Sequence, residues 1–315
     1  MRALPLIFAS LMMSASPTLA QGSVAYPLTI ENCGTWVTLQ KAPERVVTIK
    51  STATEMVLAL GQGHKIVGVG FQDGPAPEPW TADAAALPVL SEKLPAQEVA
   101  LAVEPDFIYG GWESNFAADG VGERAKLLDL GIATYVSPAA CRSVKPEKLT
   151  FDEIFEEIAE IGAMLDAQTA AAQLIAQQRE TLANIASDER GLTALWYSSG
   201  TKVPYVGAGS NAPQMMMEAL GLDNIMAEVD DGWVSASWEA VAAADPDVIV
   251  LVDSSWNSAA QKKKLLVESP ITSKMSAVVH GRYLELPFPA SEAGVRNVGA
   301  TADMAKQLQQ LTFDP

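Results

Sequence analysis

The sequence predicts an α/β protein built from two similar Rossmann-like lobes with parallel sheets, joined by one long backbone helix. Three observations predict it. Apolar, β-branched runs alternate with helical patterns on both sides of the chain's midpoint, a segment of the first half recurs in the second, and a long helical pattern lies between the halves.

In the first half, residues 45–49 (RVVTI), 65–70 (KIVGVG), 107–111 (FIYGG) and 132–137 (IATYVS) read as strands, and 55–60, 96–103 and 123–130 as helices. A Pro-rich loop, GPAPEPW, follows the second strand. Such alternation implies a parallel sheet covered by helices. The second half resumes the order with strands LTALWYS, VPYVG, VIVLV and RYLEL and helices at 213–220, 238–244, 260–267 and 298–311. The segment EVALAVEPDFI from Glu98 lines up with EAVAAADPDVI from Glu239, and MVLALG from Met56 is echoed more weakly by MMEALG from Met216. Gene duplication is the economical reading, although a helix stopped by Pro, followed by Asp in the turn, is also common local chemistry.

Between the halves, residues 150–187 read as one helix. Ile154, Ile158, Ile161 and Leu165 recur at helical spacing, and Ala172, Ile175, Leu182 and Ala186 continue the stripe. Thr150 and Glu153 form a capping-box pattern, with Asp152, Glu153, Glu156 and Glu157 near the positive end of the helix dipole. Arg190 and Gly191 suit the other end. Such a helix would span roughly 50 Å and serve two lobes. The alternative is two helices, with a break at Gly162 or between Asp166 and Thr169. The expected organisation is a signal peptide at 1–20, an N-terminal lobe at 21–149, a linking helix at 150–190 and a C-terminal lobe at 191–315.

Residues 1–20 carry one basic residue, an apolar run and the ending Thr18-Leu19-Ala20, the pattern of a cleaved secretory signal. No Cys stands at the cleavage point, so lipid anchoring is not indicated, and direct membrane insertion is not expected. Without that segment the chain has 20 basic and 38 acidic residues. Nucleic acid and anionic membranes are not expected partners at such a charge, and solubility accounts for most of it. Cys33 and Cys141 remain in an oxidising compartment, where a pair is more often a disulfide than a metal or redox site; two free thiols are the alternative.

These features together resemble a known family. Arg45-Val-Val-Thr-Ile with Thr52-x-x-Glu55, the twice-present Ala-x-x-Pro-Asp-x-Ile element and Ile-x-x-Ile-Gly at 158–162 are similar to the periplasmic binding proteins of ABC importers for ferric siderophores, cobalamin and haem. The run Trp112-Glu113-Ser114, with Tyr135 to Cys141, resembles a branch associated with import of a deazaflavin coenzyme precursor. The resemblance implies a periplasmic monomer that binds a metal chelate or cofactor-like ligand between its lobes. Delivery would be to an ABC permease and, through it, the ATPase. It also implies docking through one acidic residue on each lobe. Glu123 is the candidate in the first; the matching stretch of the second reads Gly209-Ser210-Asn211, leaving Glu218 as a substitute.

Loops following the predicted strands should line the cleft: Ser51, Thr52, Phe71, Gln72, Trp112 and Glu113 from the first lobe, and Tyr197, Trp233, Trp256 and Phe288 from the second. Tryptophan and tyrosine offer flat apolar area with a polar edge, suited to a planar or macrocyclic ligand. Core packing is the competing reading for each, foremost for Trp196 and Trp238, which lie within predicted elements. Basic residues near these loops are few, which tilts the expected ligand toward a neutral or cationic one. Arg296 stands where the family begins its last helix, a structural position. His64 and His280 are too few for a metal site, and neither a metal nor a cofactor is expected; haem ligation by Tyr109 or Tyr197 stays open. Glycine-rich catalytic motifs are lacking. The enzyme alternative is an exported hydrolase or lyase using Asp73, Glu113 or Asp253.

Overall fold

The computed structural model describes residues 25–313; the expected signal segment lies outside the described residues. Five parallel strands form the first lobe's sheet, in the spatial order Val89–Ser91, Ile66–Gly70, Val46–Ile49, Phe107–Gly110 and Ala133–Val136. The first strand in sequence is central, so chain connections depart in opposite directions on its two sides. Their carboxyl ends therefore open a crevice at Lys50–Thr52 and Gly111–Trp112, the place where such sheets bind ligands. Ahead of this sheet stands an antiparallel hairpin, Leu28–Asn32 with Thr35–Leu39, which the sequence reading missed. Buried Asn32 docks it on the edge strand through paired 2.8 Å hydrogen bonds with the backbone of Val136.

The second lobe departs from the expected all-parallel sheet. Val248–Asp253 pairs in parallel with Thr193–Ser199 and Tyr283–Pro287, but Tyr205–Gly207 returns antiparallel beside Thr193–Ser199 and is itself paired antiparallel with Trp233–Ser235. The reason is chain length. A parallel crossover needs a dozen or more residues, and only residues 200–204 separate those two strands.

The linking segment also departs from expectation. Helix Phe151–Met164 begins at the anticipated capping box on Thr150 and Glu153, but a second helix, Gln168–Ala183, follows a sharp break. Asp166 takes a left-handed conformation there (φ 59°). Distant groups hold the open carbonyls of the first helix: Lys65 Nζ donates to Leu165 O at 2.8 Å, and the Tyr26 hydroxyl to Met164 O at 3.2 Å. Arg179 then returns to Asp152 at 2.7 Å and lies 4.6 Å from the centre of the Phe155 ring, so the two helices form an antiparallel hairpin. The second helix stops at Ala183, well before Arg190 and Gly191.

Ile154, Ile158, Ile161 and Leu165 are buried as the stripe predicts, whereas Ala172 and Ala186 are exposed and the second helix instead buries Ala171 and Gln178. One apolar cluster runs from Val46 and Phe107 through Ile158 and Ile161 to Met216, Leu220 and Met304. The lobes thus share a core through the helical hairpin. Cys33 and Cys141 are joined in a disulfide that ties the N-terminal hairpin to the end of the first lobe.

Candidate functional site

A cleft of about 680 Å³ lies between the lobes. From the first lobe its wall includes Thr52, Trp112 and the segment from Ser137 to Pro146; from the second it includes Tyr205, Trp233, Phe288 and Glu292. Its volume and aromatic lining suit a drug-sized or larger organic ligand.

Trp112 is held on several sides. Its indole Nε1 donates to Glu292 Oε2 at 2.7 Å, across the gap between the lobes. Phe71 meets it edge to face at 5.9 Å. The ammonium of Lys50 sits 3.6 Å from the ring centre, a cation–π contact made in a buried setting. Gly111 makes this approach possible: a Cβ there would lie 2.6 Å from Thr52 Oγ1 and 2.8 Å from Lys50 Cβ.

Lys50 is nearly inaccessible to solvent and pairs with Asp73. Its backbone has φ 80° and ψ 151°, a region costing a non-glycine residue about 1–3 kcal/mol. Burial pulls the Lys50 ammonium below its ordinary pKa, against the opposing pull of Asp73 and Glu292. Burial likewise raises the carboxyls of Asp73 and Glu292. Deeper in the lobe junction, Arg296 forms a forked ion pair with Glu55 and donates to Pro75 O at 2.9 Å. Arg296 therefore has the structural position expected of it.

Of the ten residues predicted to line the cleft, Thr52, Trp112, Trp233 and Phe288 do so. Trp256 stands next to this wall, 55% exposed and edge-on to Phe288 at 5.0 Å. The remaining five are committed elsewhere. Ser51 exchanges hydrogen bonds with Asp73, Phe71 packs behind Trp112, and Gln72 donates to Gly70 O. Glu113 accepts from the backbone amides of Arg142 and Ser143, so it anchors the segment after Cys141. Tyr197 is buried, with its hydroxyl on Gly200 O, and Tyr109 donates to Glu157 at 2.7 Å; neither hydroxyl lines the cleft for a haem. The carboxylates considered for catalysis are similarly occupied: Asp73 by Lys50, Glu113 as above, and Asp253 by the amide of Ala259 at 2.7 Å. Trp196 and Trp238 are core residues. Among the described residues no group of His, Cys, Asp or Glu is placed to hold a metal ion.

Sequence reasoning missed Tyr205, Asp230, Asp231 and Glu292. Tyr205 stacks on Trp233 at 6.0 Å with 14° between the rings, a pairing that depends on the antiparallel strands. Glu292 had a signal, since it is the lone acid in LPFPASEAG, where only Phe288 was chosen. Glu123 is half-exposed and paired with Lys126, and Glu218 with Lys148.

Residues 46–290 match the periplasmic binding protein family. The chain belongs to that family. An uncharacterized ABC transporter substrate-binding lipoprotein of Bacillus subtilis, YvrC, is 24% identical over 303 residues, covering 93% of this chain and 89% of the relative. A cobalamin-binding protein of Halobacterium salinarum is 26% identical over 272 residues, 83% of this chain and 68% of the relative. The solved structure of an ABC-type Fe3+-hydroxamate transport system protein from Saccharomonospora viridis superposes with a TM-score of 0.78. It is 27% identical and covers 90% of this chain and 99% of that one. As a periplasmic binding protein, the chain has a two-lobe fold whose relatives bind substrates for transport. Among the described residues no helix is long and apolar enough to cross a membrane.

Proposed function

We propose that this periplasmic binding protein captures a metal chelate or large cofactor-like ligand, such as a ferric siderophore, a corrinoid or a haem, and delivers it to an ABC permease coupled to its ATPase. The observation that carries this reading is the cleft itself. Trp112 from one lobe and Trp233, Tyr205 and Phe288 from the other line a single space of about 680 Å³. Flat aromatic faces beside hydroxyl and charged groups such as Ser137, Ser198, Asp231 and Glu292 suit a large ring or a compact chelate that carries polar groups at its edge. The relatives named for cobalamin and for Fe3+-hydroxamate support the same class.

In this reading residues 1–20 are removed on export, the chain works as a periplasmic monomer, and residues 21–149 and 191–315 act as lobes about the 150–190 link. Thr52, Trp112, Trp233, Trp256 and Phe288 contact the ligand, and Ser51, Phe71, Gln72, Glu113 and Tyr197 support that surface from behind. Glu123 and Glu218 face the permease. The shared core and helical hairpin make lobe movement small.

Calorimetric titration of the protein with cobalamin, cobinamide, haem, ferric hydroxamates and a deazaflavin tests the proposal. One compound is expected to bind one-to-one. Replacing both Trp112 and Trp233 with Ala should weaken it by at least about tenfold, since each aromatic contact is worth roughly 0.5–1.5 kcal/mol beyond its buried area. Absence of binding below about 10 μM, near −7 kcal/mol, would overturn the reading.

A further inference from the structure

The charges at the bottom of the cleft do not balance. Two buried cations, Lys50 and Arg296, meet three carboxylates, Asp73, Glu55 and Glu292. Asp73 takes Lys50 as its ion-pair partner and Glu55 takes Arg296. Glu292 is left with a single hydrogen bond to a neutral group, the indole of Trp112, and among the described residues no hydrogen bond reaches its other oxygen. Glu292 lines the cleft. Lys50 attracts Glu292 but is already paired with Asp73, and of the cations lining the cleft Lys145 is paired with Asp230. A half-buried carboxylate with an open acceptor is costly to keep unless something completes it.

We propose that Glu292 selects the ligand, receiving an ammonium or amide N–H group while the apolar body of the ligand lies against Trp112. This rests on the transport reading above and narrows it: cationic or amide-decorated chelates are taken, and carboxylate-rich ones are refused. Trp112 and Glu292 act as a unit, one supplying the flat face and the other the polar end, and their mutual hydrogen bond fixes where the two meet. Glutamine at position 292 would keep the acceptor for Trp112 and remove the charge.

The test uses two matched pairs of probes. Ferrioxamine B, which carries a free ammonium, is compared with its N-succinylated form, which ends in a carboxylate, and dicyanocobinamide, rich in amides, with dicyanocobyrinic acid, in which carboxylates replace them. Affinities are measured by calorimetry for the wild type, Glu292→Gln and Trp112→Phe. In whichever pair binds, the wild type should favour the cationic or amide-rich member over the carboxylate-bearing one by about 10- to 100-fold, the worth of a hydrogen bond to a charged group. Glu292→Gln should reduce that ratio to within about threefold, and Trp112→Phe, which removes the indole face together with the hydrogen bond to Glu292, should weaken both members. A wild-type preference for the carboxylate-bearing member, or a preference that survives Glu292→Gln, overturns the role of Glu292 and leaves the transport reading standing. If the wild type binds neither pair below about 10 μM, the role of Glu292 falls, and the transport reading falls with it only when haem and the deazaflavin fail as well.

Discussion

Glu55 of the first lobe and Arg296 of the second form a forked, buried ion pair: Nε and Nη2 of the guanidinium each donate to a different carboxylate oxygen. The two residues are 241 positions apart, and each begins or lies within a helix at the lobe junction. The pair joins the lobes where the shared core ends.

Removing one partner leaves an uncompensated buried charge. Arg296→Met should therefore destabilise the protein by about 3–5 kcal/mol, whereas the double change Glu55→Leu with Arg296→Met should recover most of that loss. Arg296→Lys should not rescue, because an ammonium cannot reproduce the fork. Chemical denaturation of the four proteins measures this, and a double variant no better than the single one would show that packing, rather than charge, dominates the site.

Gly162 decides between a continuous helix and a hairpin. In an uninterrupted helix, Gly162→Ala would stabilise by up to about 1 kcal/mol through helix propensity. In the observed hairpin an added Cβ would stand 2.5 Å from the Cβ of Ala171, on the opposing helix. The helices must separate, and the expected result is a loss of about 1–3 kcal/mol. A higher melting temperature for Gly162→Ala would contradict the hairpin.

Glu157, buried on the first linking helix, should make stability depend on pH. Burial, reinforced by neighbouring Glu160 and opposed by the Tyr109 hydroxyl, pushes its carboxyl from 4.5 up to about 7. The folded state then holds a proton that the unfolded chain has released, so this contribution falls as pH rises from 4.5 toward about 7 and stays lost above. Glu157→Gln removes the penalty while keeping an acceptor for Tyr109. It should stabilise by at most about 3 kcal/mol at pH 8 and by almost nothing near pH 4. Equal effects at both values would refute the assignment.

The Cys33–Cys141 disulfide spans 108 residues of sequence. Constraining so long a loop in the unfolded chain is worth up to about 4–5 kcal/mol. Replacing both cysteines with Ala should lower the denaturation midpoint accordingly. Because Cys141 lines the cleft and Ser143 Oγ holds Cys33 O at 2.8 Å, ligand affinity should fall as well. Unchanged affinity in the folded variant would mean that Glu113 alone holds the 141–143 segment.

Local patterns were the legible part. The strand runs at 45–49, 107–111 and 248–252 and the capping box at Thr150 and Glu153 are set by short-range periodicity and hydrogen bonding, and they stand where the sequence put them. Trp112 and Trp233 were legible for a related reason, since a large aromatic just after a strand or at its first residue has little core to enter. Tyr197 looked the same in sequence, yet its side chain points into the second lobe, because alternation along a strand sends neighbours to opposite faces and register was unknown.

The sequence by itself determined the two α/β lobes, their internal similarity and the elements whose loops meet, because those follow from apolar spacing and turn chemistry over a few residues. Only the tertiary structure decided that the link folds back at Asp166, where Lys65 and Tyr26 capture the end of a helix that periodicity alone would have continued. It also decided which carboxylates are spent on Lys50 and Arg296 and which one, Glu292, is left facing the cleft. Such pairings join residues up to 241 positions apart, and their energies depend on burial and distance, which no local pattern encodes.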